Sequence, residues 1–205
     1  MESKATFRSG SYELEGLVDA KPGHRGVVVT HPHPLYGGGM YNNVVQAVVE
    51  AYAEAGFTTV RFNFRGVGRS QGAYDQGIGE QEDVRSVVTR LREEGTTQIH
   101  LAGYSFGAWV NAHALPGLPE VHTAVMISPP VDFMDFDVPS ADARIRLVIT
   151  GERDDIAGAE PVQRLVGDWN PDAVFHVIPG ADHFYGGREG ELRSLIAGFL
   201  EGAGE

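Results

Sequence analysis

The chain has 205 residues, 42% hydrophobic and 21% charged, with a net charge of −12 and no cysteine. That length fits one domain, residues 1–205, since folding at this size buries roughly 70% of the unfolded surface. The acidic balance argues against a nucleic-acid partner, which needs a basic face, and the absence of cysteine excludes disulfides and thiolate metal sites.

The first residues, "MESKATFRSGSYELEG", lack the basic-then-apolar layout of a signal peptide, and no run of 18 apolar residues follows anywhere. A cytoplasmic protein without a membrane partner is therefore expected. Within "ATFRSGSYELEGLV" an antiparallel hairpin is predicted around Gly10 and Ser11. Short Val/Ile-rich runs then alternate with helical patterns. Strands are predicted at Val27–Thr30, Thr59–Phe64, Ile99–Ala102, Val121–Ile127, Ile145–Thr150 and Val174–Ile178. Helices are predicted at Asn43–Ala55, Glu80–Glu94, Phe106–Leu115, Glu160–Gly167 and Glu189–Leu200. This alternation specifies an α/β fold with a mostly parallel central sheet, helices on both faces and the N-terminal hairpin ahead of it. The most irregular stretch, 128–144, is the expected place for a small lid; it is too short for a cap domain.

Ligands of such sheets bind beyond the carboxyl ends of the strands. The loops found there are "HPHPLYGGGM", "RGVGRSQG", "GYSFGA", "GERDD" and "PGADHF". A dinucleotide fingerprint at Gly66 and Gly68 fails because position 71 is Gln71. No Gly-rich loop is followed by Lys-Ser or Lys-Thr, the only lysines being Lys4 and Lys21. His31 and His33 lack the second ligand pair that a metal site would need. No cofactor and no metal are expected.

Nucleophilic catalysis is the chemistry left. A serine hydroxyl needs a base to take its proton, and the base needs a carboxylate to hold its tautomer. Ser105 in "GYSFGA" lies between a strand and a helix, with Gly103 and Gly107 leaving room for a tight turn. Taken alone, the hexapeptide equally fits a buried serine packed by its glycine neighbours. His183 in "GADHF" follows the last predicted strand and Asp154 in "GERDD" the one before it, and the order Ser105, Asp154, His183 is that of the nucleophile-elbow hydrolases. His24, His100, His113, His122 and His176 have no comparable placement. Asp155 is the alternative acid; Asp132, Asp135 and Asp137 are more distant ones. The oxyanion of the tetrahedral intermediate needs two N–H donors. Pro32 and Pro34 have none, so the first donor is His33, with Leu35 as the alternative, paired with Phe106.

Together "HPHPLYGG", "FNFRGVGRS", "GYSFG", "GERDD" and "GADHF", in that order over residues 26 to 200, resemble the small cap-less bacterial and archaeal members of the α/β-hydrolase superfamily. The resemblance implies the α/β-hydrolase fold, Ser105 as nucleophile, His183 as base, Asp154 as acid, and Phe106 with the 31–35 loop as oxyanion hole. It also implies a serine hydrolase of carboxylic esters or thioesters, acting through an acyl-enzyme on a small-molecule substrate. Acyl transfer on the same triad and a silent binding protein are the alternatives. One departure stands out: many members have Val-Val-Pro after the acid turn, where this chain reads "DIAGAEP". In "FNFRG", Arg65 is read as structural.

Overall fold

The computed structural model describes residues 1–136 and 141–202. Strands β1 (Ser3–Ser9) and β2 (Tyr12–Asp19) form the hairpin, turning through Gly10 at φ 57°. There follow β3 (Arg25–Thr30), α1 (Asn43–Glu54), β4 (Thr58–Phe62), α2 (Ile78–Glu93), β5 (Gln98–Tyr104), α3 (Phe106–Ala114), β6 (Val121–Ile127), β7 (Ile145–Gly151), α4 (Ala159–Trp169), β8 (Val174–Ile178) and α5 (Glu189–Gly202). The eight strands make one sheet in the order β1-β2-β4-β3-β5-β6-β7-β8. β1–β2 and β2–β4 pair antiparallel; every other pair is parallel.

Period-two alternation divides the core between the two faces. Leu101, Met126 and Val148 point to the face covered by α2, α3 and α4, and Ala102, Val125 and Ile149 to the face covered by α1 and α5. Both faces are apolar because both are buried, which is why the central strands read as continuous Val/Ile runs. Among the described residues no helix is long and apolar enough to cross a membrane.

Several boundaries differ from expectation by one or two residues, and three of the differences have a clear local reason. β4 stops at Phe62, not Phe64. The Asn63 N–H still donates to the Glu15 carbonyl at 2.9 Å, but the Phe64 N–H donates to His31 Nε2 at 3.0 Å and the Phe64 carbonyl accepts the Val67 N–H at 3.1 Å, which turns the chain out of the ladder. α2 starts two residues early because the buried Glu80 carboxylate accepts the N–H groups of Gly77 and Asp75, at 2.8 and 2.9 Å. α4 continues to Trp169, whose buried ring lies 5.6 Å from Phe136. The described part of 128–144 holds no helix or strand; residues 137–140, including Asp137, lie outside the described residues.

Two buried histidines make the fold acid-sensitive. His31 and His100 are each pushed down to about 4, chiefly by burial. The unfolded chain takes up these protons near the ordinary value of about 6.5, so stability is complete above that value and is lost as pH falls toward 4. Between pH 7 and pH 5 the unfolding free energy should drop by on the order of 1–2 kcal/mol per histidine. Denaturant titrations at the two pH values, on the wild type and His100→Gln, measure the drop and the share due to His100.

Candidate active site

Ser105 follows β5 directly and precedes the first residue of α3, at φ 54° and ψ −120°. A non-glycine residue at positive φ is strained and persists only where its surroundings enforce it. Here the neighbouring glycines do so. A Cβ on Gly103 would stand 2.7 Å from the Ala108 nitrogen, and one on Gly107 would stand 2.7 Å from the Thr30 carbonyl oxygen. Only glycine lets β5, α3 and β3 approach this closely, and the approach lifts Ser105 out of the strand end. Its own N–H donates to the Ile127 carbonyl at 2.9 Å.

The loops after β7 and β8 bring the other two groups to it. Ser105 Oγ is 2.9 Å from His183 Nε2, and His183 Nδ1 is 2.9 Å from both oxygens of Asp154. All three residues are buried. Asp154 Oδ1 also accepts the Ile156 N–H at 3.0 Å and the Ala157 N–H at 2.7 Å. The departure "DIAGAEP" thus serves as the turn that fixes the carboxylate. Burial pushes the Asp154 carboxyl up, but the hydrogen bond and charge of His183, the Ser128 hydroxyl and the Ala157 N–H outweigh it, and the group lies below the usual carboxylate range. Asp155 is exposed. Asp132 accepts the Gly158 N–H, and the Asp135 carbonyl accepts the Trp109 indole N–H. Of the described acidic candidates, Asp154 is the one brought to His183.

The loop "HPHPLYGG" is held by its own histidines. Phe64 N–H donates to His31 Nε2 at 3.0 Å, so the other ring nitrogen carries the proton and donates to the Pro32 carbonyl at 2.7 Å. Leu35 N–H donates to His33 Nδ1 at 3.2 Å, which leaves the proton on Nε2, 3.2 Å from the Tyr74 hydroxyl. With both nitrogens of each ring engaged, neither histidine is set up to bind a metal. The Leu35 N–H is committed inside the loop, whereas the N–H groups of His33 and Phe106 have no acceptor among the described residues. Both residues line the same cleft as Ser105.

Tyr74→Phe keeps the aromatic packing on His33 and Phe106 but removes the acceptor for the His33 Nε2–H. The ring should move toward its other tautomer, and the Leu35 amide should exchange about 3–10-fold faster, as loss of a bond worth ~1 kcal/mol requires. Ring nitrogen shifts and amide exchange measure both. An unchanged tautomer would leave the Leu35 N–H alone in control of the ring.

The cleft encloses about 440 Å³ in front of Ser105 and His183. Tyr36, Phe106, Phe133, Met134, Ile156 and Phe184 supply most of its apolar wall. Phe133 and Met134 come from the turn after β6, in which both N–H groups donate to the Pro130 carbonyl, so this turn within 128–144 is a wall of the cleft.

A model of the alpha/beta hydrolase family matches residues 27–148. The chain belongs to the alpha/beta hydrolase family. Its similarities extend beyond the matched segment. An alpha-beta serine hydrolase homologue from Coxiella burnetii is 36% identical, with a TM-score of 0.89 and 97% of each chain covered. XC6422 from Xanthomonas campestris, a serine hydrolase of this fold without a lid, is 31% identical with a TM-score of 0.88, covering 98% of this chain and 94% of its own. The uncharacterized protein RP471 of Rickettsia prowazekii is 34% identical over 183 residues, 84% of this chain and 77% of the relative. Family and fold support a hydrolase.

This alpha/beta hydrolase also has supporting groups whose hydrogen bonds no sequence motif specifies. Tyr104 OH donates to the His183 carbonyl at 2.6 Å, and the Ser128 and Tyr185 hydroxyls are 2.7 Å apart. Ser128 and Tyr185 share positive φ with Ser105, at 43° and 56°. Their position just past a strand end or beside a motif residue is the one signal the sequence carries for them. Arg65 is held by the buried Asp83 at 2.7 Å, the structural role expected of it.

Proposed function

We propose that the chain is a serine hydrolase acting on carboxylic esters or thioesters, with Ser105 as nucleophile, His183 as base and Asp154 as the acid that orients it. The observation that carries this reading is the unbroken relay of hydrogen bonds from Ser105 Oγ through His183 to Asp154, each 2.9 Å long, opening on one apolar cleft. Two further features support it: a serine held at positive φ, and a carboxylate kept ionised beneath the imidazole.

In the first half-reaction Ser105 Oγ attacks the acyl carbon while His183 Nε2 takes the hydroxyl proton. The carbonyl oxygen becomes an oxyanion that accepts the His33 and Phe106 N–H groups, at the N-terminus of α3 where the helix dipole favours negative charge. The bond to the leaving group breaks, and His183 returns its proton to the departing oxygen or sulfur. Water then repeats the sequence on the acyl-enzyme, activated by the same nitrogen. Asp154 stabilises the imidazolium formed in each half.

A serine-directed fluorophosphonate should label the protein at one equivalent, on the peptide containing Ser105, and abolish p-nitrophenyl butyrate hydrolysis in proportion. Mass spectrometry of the labelled digest beside residual activity tests this. Label on another residue, or turnover that survives full labelling, would remove Ser105 from the role of nucleophile.

A further inference from the structure

The cleft wall is mostly apolar. Among the described residues that line it there is no lysine, arginine, aspartate or glutamate. Two negative charges lie close to it, Asp154 under His183 and Asp182, whose carboxylate accepts the Phe184 N–H, within a chain of net charge −12. An anionic ligand would enter a low-dielectric cleft with no counter-charge and against the protein's own field.

The apolar groups are also unevenly placed. In the proposed mechanism the leaving group must depart beside His183, because His183 Nε2 returns the proton to it. Beside that ring stands Phe184, its ring 5.7 Å away and nearly perpendicular, yet 66% exposed. The backbone of Phe184 is pinned on both sides, its N–H donating to Asp182 at 3.0 Å and its carbonyl accepting Asn43 Nδ2 at 3.0 Å. An aromatic ring held open at a cleft mouth, with a fixed backbone, is a preformed apolar seat.

We infer, on the footing of the serine-hydrolase reading, that the cleft takes uncharged acyl substrates whose leaving group is apolar and rests on Phe184, and that it discriminates against leaving groups bearing phosphate or carboxylate. Butyryl-N-acetylcysteamine and butyryl-coenzyme A present the same thioester, and the coenzyme adds a long pantetheine–adenosine arm with its phosphates, so the salt dependence of the gap between them is what isolates charge. kcat/KM should be about 10-fold or more higher for the neutral thioester, and the gap should narrow as salt is added. For the seat, phenyl and methyl acetate are compared on the wild type and Phe184→Ala. The variant should lose about 5–20-fold in kcat/KM on phenyl acetate and clearly less on methyl acetate, as removal of one aromatic neighbour predicts.

Fluorophosphonate labelling of Ser105, run on the same preparation, separates the two levels. A preparation that labels at Ser105 and whose unlabelled portion turns over butyryl-coenzyme A as well as the neutral thioester overturns the charge discrimination, and equal losses on both acetates overturn the seat. Either result leaves the serine hydrolase standing. Protein that neither labels nor turns over any of these substrates overturns the hydrolase reading and this inference with it.

Discussion

Ser105→Ala is expected to lower kcat on p-nitrophenyl butyrate by about 10⁴–10⁶-fold, the range lost when a triad nucleophile is removed. What survives would come from the His33 and Phe106 N–H groups and from the cleft, which still bind and polarise the ester. The fold should be nearly unaffected. Alanine tolerates φ 54° about as poorly as serine, so the strain at this turn is unchanged, and the substitution removes one hydrogen bond, the 2.9 Å link to His183. Stability should shift by no more than ~1 kcal/mol, the worth of such a bond. Ser105→Gly offers a sharper contrast. It should be equally inactive yet more stable than the alanine variant, by ~1 kcal/mol, because glycine adopts positive φ without strain. Steady-state kinetics and denaturant melts on the three proteins check both halves. An alanine variant with wild-type turnover would sink the mechanism. A glycine variant no more stable than the alanine one would show that Ser105 is not strained.

What is legible in the sequence follows from where each signal resides. The strands are readable because burial on both sheet faces forces apolar runs, as in Val27–Thr30 and Val121–Ile127, and their order places Ser105, Asp154 and His183 on three separate strand-end loops, after β5, β7 and β8. The choice of Asp154 over Asp155 is harder to read. Neighbouring aspartates look alike in a sequence, and the distinction lies in two backbone N–H groups, from Ile156 and Ala157, aimed at one carboxylate. That the Leu35 N–H is committed inside its loop rests on the same kind of detail, since the His33 ring nitrogen accepts it. Tyr74, Tyr104, Ser128 and Tyr185 escape a sequence reading for a different reason. Their hydroxyls act through hydrogen bonds spanning 41, 79 and 57 positions, and no local pattern encodes a pairing of that range. The end of β4 departs from expectation because the Phe64 N–H donates to the His31 ring, 33 positions away, and that pairing exists only once the chain is folded.

Asp154→Asn should cost about 10⁴-fold in kcat, as loss of the carboxylate's hold on the imidazole tautomer does in such triads. The geometry fixes which way the new amide must turn. Oδ1 of Asp154 accepts two backbone N–H groups, at 3.0 and 2.7 Å, and only the amide oxygen of asparagine can replace it there. The amide nitrogen then falls where Oδ2 was, 2.9 Å from His183 Nδ1, and must donate to it. His183 can accept that bond only with its proton on Nε2, so the nitrogen facing Ser105 carries a hydrogen and can no longer act as a base. The variant should therefore stay folded and lose activity through proton placement. Ring nitrogen shifts of His183 would report Nε2–H in the variant and Nδ1–H in the wild type at neutral pH. Stability supplies an independent reading. Asp154 is held below the usual carboxylate range in the folded state, so its ionisation adds stability that is fully present above the unfolded carboxylate value and is lost as pH falls through the folded one. The wild type should accordingly be more stable than Asp154→Asn at pH 7, with the difference shrinking as the solution is acidified through the carboxylate range. A gap that did not change with pH would mean that Asp154 is not ionised beneath His183, and the orienting role assigned to it would fail on that measurement alone.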